Sequence, residues 1–208
     1  MPRALRIVFS LLLIFLGTAA SAANGKTLLV YGDSLSAAYG ISAQRGWVAL
    51  LEERLKRERP DYSVVNASIS GETTAGGLAR IGAVLDRSKP AIVILELGGN
   101  DGLRGLPVAA MSKNLSAIIE KSQKAGAQVL LVGMRMPPNY GDAYASAFER
   151  SFAELAGRHR IALLPDLLAG FSDKLEFFQP DRIHPTEAAQ PAVLKNVWSK
   201  LAPLLGKK

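Results

Sequence analysis

The residues with the clearest chemistry lie near the C-terminus, in Asp181-Arg182-Ile183-His184-Pro185, where a carboxylate and an imidazole stand three positions apart. On a loop, such a carboxylate can accept from one ring nitrogen, fix the tautomer and stabilise the imidazolium, while the other nitrogen takes a hydroxyl proton. A hydroxyl suited to that exchange stands near the other end of the chain, at Ser34 in Gly32-Asp33-Ser34-Leu35-Ser36. Ser34 can serve as a nucleophile, but Asp33, Ser34 and Ser36 are equally good N-caps for a following helix, and the segment alone leaves both readings open. The G-x-S-x-G elbow fails because Ser36 occupies the place of its second glycine, which removes support for an ordinary α/β-hydrolase topology.

Two further segments offer donors for developing negative charge. Gly71, within Ser68-Ile69-Ser70-Gly71-Glu72-Thr73-Thr74, lets a backbone N–H approach a ligand, and Thr73 can cap the next helix; an ordinary glycine turn explains the segment as well. Asn100, within Gly98-Gly99-Asn100-Asp101, places an amide NH2 on a tight loop; a turn accounts for the glycines but not for the polar pair after an apolar run. His159 sits in Gly157-Arg158-His159-Arg160 and is expected at the solvated surface. With two distant histidines and no cysteine, a metal site is not expected.

Groups this far apart in sequence need a rigid frame to bring them together. Apolar runs rich in strand formers occur at Thr27 to Tyr31, Tyr62 to Ala67, Ala91 to Leu97, Gln128 to Met134 and Ile161 to Leu164. Between and after them, helical patterns cover Trp47 to Arg59, Thr74 to Arg87, Pro107 to Lys124, Ala143 to Arg158 and Pro191 to Leu205. Pro107 opens one helix and Gly126 follows its end, the usual asymmetry of termini. Strict alternation predicts an α/β fold, a three-layer α/β/α sandwich around a five-stranded parallel sheet. In such sheets ligands bind outside the carboxyl ends of the strands, where the segments with chemistry begin. Glu96 interrupts the third apolar run, and a strand-end or edge position is expected for it rather than a buried charge.

The 208 residues carry 25 Lys plus Arg, 18 Asp plus Glu and no Cys, with 49% hydrophobic residues. That composition excludes a disulfide-stapled mini-protein, a Cys nucleophile and a disordered acidic tail. The longest apolar run, Ile7 to Leu16, is too short to cross a bilayer as a helix. Preceded by Arg3 and Arg6 and followed by Ala20-Ser21-Ala22, it predicts a signal peptide over residues 1–22, with one domain over 23–208 and export to the periplasm or beyond. The net charge of +7 is scattered among glutamates, and no basic stripe or aromatic-basic alternation points to nucleic acid.

Together, Gly32-Asp33-Ser34-Leu35, Gly71, Gly99-Asn100-Asp101 and Asp181-Ile183-His184 resemble, in order and spread, the blocks of the SGNH (GDSL) hydrolases, over nearly the whole chain beyond residue 22. The stretches VYGDSLSAAYG, NASISGETTAGG, ELGGNDGLRG and DRIHPTEAAQP are most similar to the bacterial secreted arylesterase, acyl-CoA thioesterase and lysophospholipase group of that family. The resemblance implies a flavodoxin-like sheet, with Ser34 as nucleophile, His184 as general base and then acid, and Asp181 as its orienting partner. It further implies an oxyanion hole formed by the Ser34 and Gly71 N–H groups and the Asn100 side chain, and hydrolysis of small acyl esters and thioesters with no cofactor. A monomer with transient contact to membrane lipids is expected.

Acyl recognition is assigned to Leu103, Leu106 and Pro107 after the Asn100 block, to Met134 and Met136 beyond the fourth strand, and to Phe178 before Asp181, although simple packing explains these residues equally well. Two alternatives share the frame: a carbohydrate-acting acetylesterase, and a non-catalytic lipid- or glycan-binding module. The first needs exposed aromatics for sugars, whereas Trp47 and Trp198 fall on helical patterns where packing is expected.

Overall fold

Short β-branched runs with helices between them cannot bury both faces of a sheet unless the helices return over it, and the chain adopts that solution. The computed structural model describes residues 25–206, so the expected signal peptide lies outside the described residues. The elements run β1 (Lys26–Gly32), α1 (Trp47–Glu58), β2 (Tyr62–Asn66), α2 (Thr74–Ser88), β3 (Ile92–Glu96), α3 (Gly99–Leu103), α4 (Val108–Lys124), β4 (Gln128–Val132), α5 (Asp142–His159), β5 (Ala162–Leu164) and α6 (Gln190–Leu201). Every strand pairing is parallel, in the order β2-β1-β3-β4-β5. The expected three-layer sandwich is thus present.

Alternation along the strands divides the core. Leu29, Tyr31, Val93, Leu95, Val129 and Leu131 face α2, α4 and α5, whereas Leu28, Val30, Ile92, Ile94, Leu130 and Val132 face α1 and α6. Burying each such aliphatic side chain contributes about 1.5–3 kcal/mol, which lets a chain without cysteines hold a rigid sheet. From β1 the chain moves outward to β2, then crosses back over β1 to β3 and onward to β4. The connections after β1 and β3 therefore leave in opposite directions and open a crevice between the two carboxyl ends.

Most element ends shift by a residue or two from the sequence reading, and three differences have a clear local reason. Helix α3 was not expected, because five residues with two glycines show no periodicity. Pro107 is the N-cap of α4 and not its first residue. Helix α6 ends at Leu201 and continues to Leu205 as a 3-10 turn: Pro203 has no N–H to give an α-helical bond.

Candidate active site

The Ser34, Gly71 and Asn100 segments follow the carboxyl ends of strands, and the Asp181-His184 segment lies in the long connection between β5 and α6. The Ser34 turn follows β1. Ala37 N–H donates to the Asp33 carbonyl at 2.9 Å and Tyr39 N–H to that of Ser34 at 3.2 Å, closing one tight turn. Since α1 starts only at Trp47, neither Asp33, Ser34 nor Ser36 caps it, and the capping explanation falls away.

The Ser34 hydroxyl lies 2.8 Å from Nε2 of His184, and the imidazole Nδ1 lies 2.7 Å from Oδ2 of Asp181. The other Asp181 oxygen accepts the N–H groups of Ile183 at 2.9 Å and His184 at 3.0 Å, so the carboxylate is fixed by its own loop. Burial would raise the Asp181 carboxyl, but these N–H donors and the imidazole outweigh it and pull it down to about 2. It therefore stays charged wherever an imidazole titrates, and holds His184 in the tautomer whose Nε2 is free to accept. The ring of Tyr39 lies against that of His184, with centroids 4.5 Å apart.

Donors surround the same turn. The Asn100 side chain, on the first turn of α3, donates to Oδ2 of Asp33 at 3.0 Å, while Oδ1 accepts from Leu35 N–H at 3.1 Å. The Ser34 and Gly71 N–H groups have no acceptor among the described residues. Gly71 takes a left-handed φ of +79°, which favours glycine, and its carbonyl accepts from Arg104 at 3.1 Å. Its loop is tied to the end of β1 from both directions: Ile69 N–H donates to the Gly32 carbonyl and Gly32 N–H to the Ser68 hydroxyl, each at 3.1 Å. Thr73 caps α2 as expected, accepting from Gly76 N–H at 3.3 Å.

A cleft of about 760 Å³ opens beside Ser34, Asn100 and His184. Leu103, Met134, Met136 and Phe178 line it, giving it one apolar wall. Leu106 and Pro107 do not. The turn that follows α3 carries them past the cleft to the start of α4, where Leu106 is exposed and its carbonyl accepts from the Tyr144 hydroxyl at 2.8 Å.

Residues 30–191 match the GDSL-like Lipase/Acylhydrolase family model. This chain belongs to that family. It is 51% identical over 203 residues to esterase TesA of Pseudomonas aeruginosa, covering 98% of this chain and all of the relative. It is 42% identical over 195 residues to thioesterase 1/protease 1/lysophospholipase L1 of Escherichia coli, covering 94% and 91% of the two chains. The crystal structure of psychrotrophic esterase EstA from Pseudoalteromonas sp., inhibited by monoethylphosphonate, superposes with a TM-score of 0.83 at 40% identity, over 88% of this chain and all of that one.

In this GDSL-like hydrolase several positioning contacts could not be read from the sequence, although Asp101 itself lies in a segment singled out there. Asp101, buried beside Asn100, accepts from the backbone N–H of Thr74 at 2.8 Å and from its hydroxyl at 2.6 Å, so its carboxyl group anchors the N-terminus of α2 to the Asn100 block. Two glutamines hold the His184 loop against the Ser34 segment. Gln179 donates to the carbonyls of Tyr39 at 2.8 Å and Pro185 at 3.2 Å; Gln190 accepts from Trp47 N–H at 3.0 Å and donates to the Thr186 carbonyl at 3.2 Å. The Trp47 indole donates to the Leu35 carbonyl at 3.1 Å. The contacts of Gln179 with Tyr39, Gln190 with Trp47 and Asp101 with Thr74 join residues far apart in sequence, and only the folded chain reveals them.

Two expectations are corrected. Glu96 does end its strand, but that strand is central, and its side chain is fully buried. His159 is half-buried rather than solvated, since it closes α5 against α4 with Nε2 2.7 Å from the Ser116 hydroxyl. A second groove, of about 670 Å³ between α4 and α5, holds that serine and lies apart from the Ser34 cleft.

Proposed function

We propose that this GDSL-like hydrolase cleaves carboxylic esters and thioesters through an acyl-enzyme on Ser34. His184 takes the hydroxyl proton as Ser34 attacks the carbonyl, then gives it to the leaving alcohol or thiol; water, activated by the same imidazole, releases the acid. Asp181 stabilises the imidazolium that forms in each half. The N–H groups of Ser34 and Gly71 and the Asn100 amide receive the negative charge on the tetrahedral oxygen. The observation that carries this reading is the unbroken hydrogen-bond chain from Asp181 through His184 to Ser34, opening onto a cleft with an apolar wall.

The names of the relatives, esterase and thioesterase/lysophospholipase, support acyl substrates of the same kind. A carbohydrate-acting role finds no comparable support: Trp47 is buried, and Trp198 has its ring face covered by the Arg54 guanidinium at 3.8 Å.

A panel of nitrophenyl esters, acyl-CoAs and lysophospholipids of graded chain length tests the acyl reading, run on the parent and on Met136→Trp. The larger side chain should leave short-chain kcat/KM near the parent and lower the long-chain value about tenfold or more, since each displaced methylene contact is worth roughly 1–3 kcal/mol. An unchanged chain-length profile would take Met136 out of the acyl wall.

The chain acts as a monomer after export, with residues 1–22 as the removed signal. Arg3 and Arg6 ahead of a short apolar core, and Ala20-Ser21-Ala22 behind it, support that reading. No helix among the described residues is long and apolar enough to cross a membrane. Exposed Tyr39, Ile69, Leu106, Leu175 and Ile183 on the loops around the carboxyl edge favour transient contact with lipid. N-terminal sequencing of protein from a periplasmic extract should start at Ala23; recovery of the chain in the cytosol with residues 1–22 attached would overturn the export reading.

A further inference from the structure

The catalytic scheme makes no use of the most deeply buried acid near the site. Glu96 is the last residue of β3, and its pairing partner in β1 is Gly32, two positions before Ser34. From there Oε2 accepts the backbone N–H of Asp33 at 3.2 Å and the hydroxyl of Ser36 at 2.7 Å. These two donors flank Ser34 on either side in the chain. The other oxygen, Oε1, is buried with no partner among the described residues.

We propose that Glu96 is a positioning residue for the nucleophile, tying the chain immediately before and after Ser34 to the central strand and so fixing where the attacking oxygen stands. Three observations carry this. First, the space is reserved: a Cβ on Gly32 would come within 2.5 Å of Glu96 Oε2 and 2.8 Å of the Ser36 hydroxyl, so the position beside the carboxyl admits only glycine without a shift. Second, no simpler function is served. A packed apolar residue at the end of β3 would stabilise the sheet without the cost of burying a carboxyl group, so an acid here has to be used for its hydrogen bonds. Third, both contacts go to the turn and neither to the body of the sheet, which has its own ladder.

The carboxyl group acts as a neutral acceptor. Burial, reinforced by the neighbouring Asp33 carboxyl, pushes the Glu96 carboxyl well above its ordinary range and so favours the neutral form. An unpaired Oε1 is tolerable on a neutral acid and very costly on a carboxylate. Asp33 is in turn the acceptor for Asn100, so the Glu96 contact to Asp33 N–H steadies both the nucleophile and the amide donor opposite it.

The inference rests on Ser34 being the nucleophile. Its test compares Glu96→Gln, Glu96→Met and Ser36→Ala with the parent and with Ser34→Ala, measuring kcat and KM on a short nitrophenyl ester and folding by circular dichroism. Glu96→Gln supplies the same neutral acceptor and should keep kcat within about threefold. Glu96→Met fills the space without accepting, and should lower kcat about 10- to 100-fold at nearly constant KM, the size of effect expected when an attacking atom is misplaced by about 1 Å. Ser36→Ala, which removes one contact and leaves the acid in place, should fall between the two. Parental kcat in Glu96→Met, or a fall in Glu96→Gln as deep as in Glu96→Met, overturns the proposal. Should Glu96→Met fail to fold, Ser36→Ala decides alone, and parental kcat there overturns it. Activity surviving in Ser34→Ala would instead remove the nucleophile assignment, so the two failures are read separately.

Discussion

Ser34→Ala is expected to lose ester hydrolysis by on the order of 10⁶-fold in kcat and to escape labelling by an organophosphonate. The size follows from cooperation. The His184 imidazole, held by a carboxylate that stays ionised, has one acceptor nitrogen, and that nitrogen faces the Ser34 hydroxyl at 2.8 Å. Remove the hydroxyl and that nitrogen loses the one side-chain partner it has among the described residues, although the proposed oxyanion donors and the apolar wall of the cleft remain. Residual turnover should therefore reflect those donors and substrate positioning alone, while KM and the folding transition stay near the parent. The alanine variant removes a single oxygen that is not needed for packing, which makes the comparison clean. Labelling that persists would place the nucleophile at another residue.

Asn100→Ala should lower kcat by about 10²- to 10³-fold with little change in KM, because an oxyanion donor acts on charge that is present only in the tetrahedral state. Of the two amide hydrogens, one is committed to Asp33 at 3.0 Å, and that bond aims the other. Asn100→Asp should do no better than alanine. It supplies no donor when ionised, and it sets a second carboxylate against Asp33, which is already buried and held above its ordinary range by that burial despite the N–H of Leu35 and the Asn100 amide. Steady-state kinetics on a nitrophenyl ester reads both variants; a KM that rises while kcat holds would make Asn100 a ground-state binding group.

The frame of this enzyme was legible because its signals are local. Apolar runs that end in glycine or polar loops marked β1 to β4, and each helix with a full apolar stripe lies within a residue or two of its expected span, save for the end of α6. The site segments could be read because each carries its chemistry in a few adjacent residues. What could not be read depends on contacts distant along the chain. Nothing around Glu96 announces that its strand neighbour is Gly32 and that Ser36, two residues past Ser34, will meet its carboxyl. Nothing around Leu106 announces α3, whose single short turn takes that side chain away from the cleft while leaving Leu103 in it. Gln179 and Gln190 look like any surface glutamines until the loops they join are side by side.

Those two amide side chains also decide the order in which the molecule can fail. The imidazole half of the machinery hangs on a long connection outside the sheet: Leu167, Phe171 and Ala189 anchor its two ends in the apolar core, while the stretch that carries His184 is attached to the hydroxyl half by a handful of polar contacts. Mild heat or denaturant can thus undock that stretch while the five strands persist, leaving a chain that looks native to far-ultraviolet light but is chemically silent.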